Sequence, residues 1–229
     1  EARLDSLPAA QREVLQRAAI VGRVFWAEAV AVLASPDGSA AGLAAVEEAL
    51  AGLNGRDLVF RRPSSAFAET TEYVFQHTIL HEVTYETVLK RQRRADHARV
   101  ARWLMQRSGE RAEEYAGSIA RHLEQAEEYE GAATWYQRAG IRSAAQYAND
   151  NAVHYFTRAL ELTPTDHLPR RYELLVHRTR VYDLLGERSA QAADLAALAV
   201  LAKALNDDRR RIEVMLMRSS LAEIGGDYD

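Results

Sequence analysis

Apolar positions recur at helical spacing over most of the chain. Leu7, Val14, Leu15, Ala18 and Ala19 share one face at i, i+3, i+4 spacing and predict a helix from Leu4 to about Val21. Ser6 is its expected N-cap, Pro8 lies in its first turn and Gly22 stops it. A short second helix is expected from Trp26 to Ala34, followed by a turn at Ser35-Pro36-Asp37-Gly38. A third, capped by Ser39, runs to about Leu53 and stops at Asn54-Gly55. The period then changes. Leu58-Val59-Phe60 and Tyr73-Val74-Phe75 are β-branched and aromatic triplets around a polar loop, Arg61 to Glu72, and predict a hairpin. Helices follow from about His77 to Leu89 and from about Ala95 to Arg107. From about Glu113 the strand signals vanish. Helices are expected near 113–127, 130–148, 150–162, 168–186, 189–205 and 208–224, broken at Asn149-Asp150, Pro164, Gly186 and Asn206-Asp207.

Three short helices and a long-looped hairpin follow the order of a winged helix. The later helices carry an internal repeat. Ala152, Phe156, Ala159 and Pro164 give A-x3-F-x2-A-x4-P, the second-helix pattern of a tetratricopeptide repeat, and Ala132, Tyr136 and Ala139 repeat its A-x3-Y-x2-A part. Small alanines let two helices approach, the aromatic ring fills the groove between them, and proline stops the helix. Gly186-Glu187 and Gly226-Asp227 stand about 40 residues apart, so the period is nearer 40 than 34. The expected fold is mainly α: a winged-helix domain with its following helices over 1–110, then a right-handed α-solenoid of helix pairs over 111–229. The alternative for the second part is an unrelated helical bundle with alanine-rich contacts.

Composition narrows the function class. At 229 residues, 48% hydrophobic and 27% charged, the chain has the make-up of a globular protein of one large or two small domains, which excludes a disordered tail or a collagen-like chain. It has no Cys, hence no disulfide framework, no Cys-ligated zinc and no thiol nucleophile. No apolar run approaches the ~18 residues needed to span a bilayer and no signal pattern opens the chain, so a cytoplasmic location and no membrane partner are expected. The net charge is −4; the first 110 residues are near neutral and the excess of acid falls in the repeats, pointing to a protein partner more than to nucleic acid. The chain opens on Glu1 and closes on Gly225-Gly226-Asp227-Tyr228-Asp229, a turn opening a further element, as if cut from something larger.

Candidate chemistry is sparse. His77 and His81 stand at i, i+4 spacing, which on a helix allows a shared zinc, but no third ligand is evident and the order differs from H-E-x-x-H. The plainer reading is one core and one exposed histidine. A third is that His77, where a strand runs into a helix, contacts a phosphate. Lys90, Arg91, Arg93 and Arg94 form the one basic cluster, suited to a nucleotide phosphate, nucleic acid or an acidic partner, or else a solvated junction between helices. Glu47-Glu48 and Glu127-Glu128 read as solvated surface. There is no phosphate-cradling glycine loop and no nucleophile elbow, so no catalytic residue and no metal site is assigned. The third helix, Ser39 to Leu53, has no basic residue and two acids, which makes DNA binding by this helix unfavourable, although a DNA-binding regulator with a helical effector domain stands as the second reading.

The segment Leu7-Pro8, Arg12, Val14-Leu15, Ala18-Ala19, Gly22, Phe25 resembles the start of the winged-helix region of STAND-type signalling ATPases. The stretch from Glu72 to Leu89, EYVFQHTILHEVTYETVL, is similar to the F-R-H-x-L-x-R-E-V-A-Y-x-x-L signature of multidomain bacterial proteins. Those proteins carry a class III adenylate/guanylate cyclase or another output domain, then an AAA/STAND ATPase, then tetratricopeptide repeats. His97-Ala-Arg-Val100-Ala101 and Tyr147-Ala-Asn149-x-x-Ala152 also fit, and the resemblance covers nearly the whole chain. It departs at Gln76 and His81, where the pattern has Arg. The resemblance implies a non-catalytic regulatory and protein-interaction region, holding no cofactor itself, in a protein that binds ADP or ATP. Its implied partners are a protein or peptide on the repeats and the ATPase domain of its own chain. It also implies that His77 occupies the histidine of a Met-His-Asp motif, which contacts the β-phosphate of ADP in the off state; Gln76 and Thr78 stand at the Met and Asp positions.

Overall fold

A computed structural model describes residues 6–35 and 40–225. The expected helix start at Leu4, the turn residues Pro36, Asp37 and Gly38, the Ser39 cap and the closing Gly226-Asp227 lie outside the described residues. The chain is mainly helical. Its elements are α1 (Ala9–Val21), β1 (Val24–Trp26), α2 (Ala27–Ala34), α3 (Ala40–Asn54), β2 (Val59–Arg61), β3 (Glu72–Phe75), α4 (Thr78–Glu86), α5 (Lys90–Ser108), a 3-10 turn (Gly109–Tyr115), α6 (Ala116–Gln125), α7 (Tyr129–Ala145), α8 (Asn149–Leu162), α9 (Leu168–Leu185), α10 (Arg188–Ala204) and α11 (Asp208–Gly225). They form two compact units, Glu1–Ala112 with His122–Glu128, and Glu113–Arg121 with Tyr129–Asp229. His122 to Glu128 fall with the first unit, because His122, Ala126 and Glu127 are bonded to α5.

In the first unit a three-stranded antiparallel sheet of order β1-β3-β2 packs on helices. The hydrophobic pattern placed Trp26 in a helix; instead Val24–Trp26 form a strand, with Val24 opposite Val74 and Trp26 opposite Glu72. These three residues are β-branched and aromatic, and strand alternation turns Phe25 inward, where it is fully buried. Phe25, Val59, Tyr73 and Phe75 make the inner face, with Phe25 stacked on Tyr73 at 5.8 Å, against buried Leu15, Ala18, Leu50 and Leu53 of α1 and α3. On the other face, the buried Glu72 carboxylate accepts from the Trp26 indole N–H (3.1 Å), Arg62 (2.6 Å) and the Ala66 amide (2.9 Å). Trp26, Phe67 and Trp103 close over that end of the sheet, with ring centroids 5.0–5.6 Å apart.

In the second unit each helix from α7 to α11 packs on the next one in the chain. Short connections impose antiparallel neighbours. Along the chain four of the breaks between helices are the same turn, one at Glu127 within the first unit and three in the second. Glu127, Tyr147, Gly186 and Asn206 each take positive φ (60°, 58°, 71° and 51°), and the following amide bonds back five residues, Glu128 to Leu123, Ala148 to Ser143, Glu187 to Tyr182 and Asp207 to Ala202. This is the Schellman closure, which satisfies carbonyls that the helix end leaves orphaned. The left-handed residues are spaced 20, 39 and 20 apart. The break between α8 and α9 differs, because Pro164 lacks the amide; there Arg171 donates instead to the carbonyls of Leu160 and Thr163, both at 2.9 Å.

Candidate functional site

The chain leaves β3 and enters α4 through Gln76 and His77. Gln76 is held by its amide to the Leu58 carbonyl at 3.1 Å. His77 is exposed and occupies the N-cap of α4 with extended backbone, φ −122° and ψ 135°, and no side chain caps the helix. The first-turn amides of a helix have no intrahelical acceptor, and the dipole there favours an anion. His81 is committed to the interior: its Nε2 lies 3.0 Å from the Ala19 carbonyl, and its ring meets Phe75 edge-on at 5.2 Å. The two imidazoles of the i, i+4 pair thus serve different surroundings. Among the described residues no group of three or more His, Cys, Asp or Glu gathers for a metal ion.

Apolar surface accompanies this junction. Val24 and Phe60 both pair with Val74 across the sheet and lie on the face opposite the Phe25 core, Val24 and Phe60 exposed and Val74 half-buried. On the helical side Ile79 is 72% and Leu89 75% exposed. On α3, Glu47 and Glu48 are exposed, and the helix carries no basic side chain.

The basic cluster is divided by the fold. The helix begins at Lys90, not near Ala95, so all four residues lie in the opening turns of α5. Arg93 stacks over the Tyr85 ring at 4.8 Å and reaches Glu86 at 3.6 Å. Arg94 pairs with Glu127 at 2.6 Å and donates to the Ala126 carbonyl at 3.2 Å. These two arginines fasten structure. Lys90 and Arg91 remain exposed at a helix amino end, where a cation is unfavourable by roughly 0.3–1 kcal/mol.

Two histidines that sequence reasoning gave no paired role meet in the interior of this unit. The Nδ1 atoms of His97 and His122 are 2.8 Å apart, and both residues are buried. One ring must donate and the other accept. The Tyr85 hydroxyl lies 3.0 Å from Nε2 of His97. Beside them Asp96 is buried, and burial pushes its carboxyl up from the usual range despite Arg99 and Arg17 nearby. Burial likewise raises the carboxyl of Glu28, which accepts the Thr71 amide at 3.0 Å.

In the second unit Ala132, Tyr136 and Ala139 of α7 and Ala152, Phe156 and Ala159 of α8 are all buried. Pro164 is exposed and lies past the end of α8. Phe156 stacks on His177 of α9 at 5.3 Å, and burial holds that imidazole below its usual range. Arg178 of α9 grips Asp194 of α10 with two bonds, 2.9 and 2.6 Å, and Thr157 of α8 with a third at 2.9 Å. A groove of about 660 Å³ runs between α9 and α11, lined by Arg180, Arg209, Arg210 and the carboxylates Asp207 and Glu213, with Ile212, Leu216 and Met217 as its apolar part. At its side the Tyr172 hydroxyl donates to Glu213 at 2.9 Å, and burial with that acceptor pushes the phenol upward. No helix among the described residues is long and apolar enough to cross a membrane.

No protein-family model matches the chain. It is similar to an uncharacterized protein of Rhizobium meliloti (strain 1021), 33% identical over 92 residues, which are 40% of this chain. The matched stretch spans 9% of that relative's length, so the relative is a far longer protein.

Proposed function

We propose that the chain is a non-catalytic regulatory and interaction region of a multidomain signalling ATPase, cytoplasmic, with a winged helix followed by a tetratricopeptide-like solenoid. The carrying observation is the recurring turn. Left-handed stops stand 20 residues apart where they flank one helix and 39 apart where they flank two, a step near 40 residues per two helices and within the range of stacked helix pairs. The groove between α9 and α11, where Arg180 faces Glu213 and Arg210 faces Asp207 beside the apolar Leu216 and Met217, suits a peptide with both polar and apolar side chains. The uncapped start of α4 beside exposed His77 suits a phosphate offered by a neighbouring nucleotide-binding module, and the row of Val24, Val74 and Phe60 suits the body of that module. The far greater length of the similar Rhizobium protein is in keeping with a region inside a larger polypeptide. The chain alone hydrolyses no ATP and forms no cyclic nucleotide.

The test is isolation of the native protein with an antibody to this chain, followed by intact mass and chromatography of the acid-extracted nucleotide. The expected result is a polypeptide much longer than 229 residues that carries ADP. A nucleotide-free native protein of this chain's own size overturns the proposal. A gel shift with duplex DNA that weakens steeply with salt supports the DNA-binding alternative instead.

A further inference from the structure

We propose that a second groove, formed by α6, α7 and α8, binds a phosphate monoester. It encloses about 380 Å³ and is lined by Gly117, Ser118, Arg121, Tyr136, Asn151, His154 and Tyr155. That volume lies within the ordinary range of small-ligand sites, roughly 300–1,000 Å³.

Helical spacing accounts for the convergence. Gly117 and Arg121 are i, i+4 on α6, with Ser118 beside them; Asn151 and Tyr155 are i, i+4 on α8, with His154 beside them. The two faces meet where the Tyr155 hydroxyl touches Gly117. A Cβ at Gly117 would lie 2.5 Å from that oxygen, so a larger residue there would displace the tyrosine from its place across the groove. Tyr136 of α7 stacks with Tyr155 at 6.0 Å, and His154 meets Tyr155 edge-on at 5.5 Å.

The chemistry of the lining selects the ligand. Ser118, Arg121, Asn151, His154 and Tyr155 can all donate a hydrogen bond, and no carboxylate lines the groove. Arg121 makes no ion pair among the described residues. A guanidinium fork among neutral donors matches a phosphate and repels a cation. The half-buried Tyr155 ring, backed by buried Tyr136, offers apolar surface to the organic part of an ester. This inference is independent of the proposed role in an ATPase, because it uses neither His77 nor the groove between α9 and α11.

The test is a backbone amide NMR titration of the full chain with ribose 5-phosphate, inorganic phosphate, ribose and sodium sulfate, at matched ionic strength. Saturable shifts at Gly117, Ser118 and Asn151 are expected with ribose 5-phosphate. Inorganic phosphate and sulfate shift the same amides more weakly, and ribose leaves them unmoved. Equal response to both phosphates marks free phosphate as the ligand and still supports the site. Arg121→Ala, at an exposed position that folding does not need, weakens binding about tenfold or more. Arg102→Ala, in the first unit, leaves it unchanged. Non-saturable shifts, an equal response to sulfate, or full binding by Arg121→Ala overturns the proposal.

Discussion

Gly140 offers a measurement in which two known effects oppose each other. It lies inside α7, where replacing glycine by alanine ordinarily stabilises a helix by about 1 kcal/mol. In this packing a Cβ at Gly140 would meet three atoms of the Phe156 ring at 2.6, 2.8 and 2.9 Å. The ring cannot withdraw. It is 1% exposed, and His177 backs it in a parallel stack with planes 11° apart. Overpacking of this kind costs about 1–3 kcal/mol, and three simultaneous contacts inside 3.0 Å put Gly140→Ala near the upper end. The clash therefore wins, and the net loss is about 1–2 kcal/mol. Gly52→Ala is the internal control. Its new methyl meets only the amide end of the Gln11 side chain, which can swing aside, so the helix gain of up to about 1 kcal/mol survives. Urea unfolding by far-UV circular dichroism, with calorimetry to separate the two units, reads both changes. A Gly140→Ala protein as stable as the parent would refute the close approach of α7 and α8.

Other consequences are equally open to measurement. Asp194→Ala strands the Arg178 guanidinium in the interior and is expected to cost about 3–5 kcal/mol, seen as early unfolding of the second unit; loss below 1 kcal/mol means that solvent reaches the pair. Tyr147 holds φ at 58° while its ring is 84% exposed, so Tyr147→Gly relieves backbone strain and raises stability by up to about 1 kcal/mol in the same denaturation assay; a loss argues that the ring is used. His177 has its folded pKa lowered by burial and by Arg180, so below its ordinary 6.5 the unfolded chain binds a proton that the native chain refuses. Stability is thus present above that pH and is lost as pH falls through the window beneath it. Melting curves from pH 7 to 5 should show the parent losing ground relative to His177→Gln; parallel curves would disprove it.

Helical content and most helix breaks could be read from the chain, because they depend on local spacing and on Gly, Pro and Asn at the stops. The two strands around Arg61 to Glu72 were legible for the same reason, as runs of β-branched and aromatic residues. The strand at Val24–Trp26 was not, since three residues are too few for a period and its partner lies some fifty positions away. Spacing suggested one core and one exposed histidine at 77 and 81 without saying which; the Ala19 carbonyl and the Phe75 ring, both brought by tertiary packing, hold His81. The basic cluster looked uniform for a similar reason: the Tyr85, Glu86 and Glu127 contacts that occupy Arg93 and Arg94 arise from tertiary packing. The meeting of His97 with His122 and the donor-lined groove at Arg121 join residues with no shared local pattern, so a single sequence carries no signal for either.

The shared turn at Tyr147, Gly186 and Asn206 makes the helix pair a cassette. Because Tyr147 and Gly186 end their helices in one backbone geometry, excising 148–186 would splice one turn onto its equivalent and return the chain in the same direction and phase. Excising a single helix from turn to turn, 187–206, would instead reverse the direction of the helix that follows. Deleting or duplicating 148–186 would therefore leave the joints on either side of it chemically as they are.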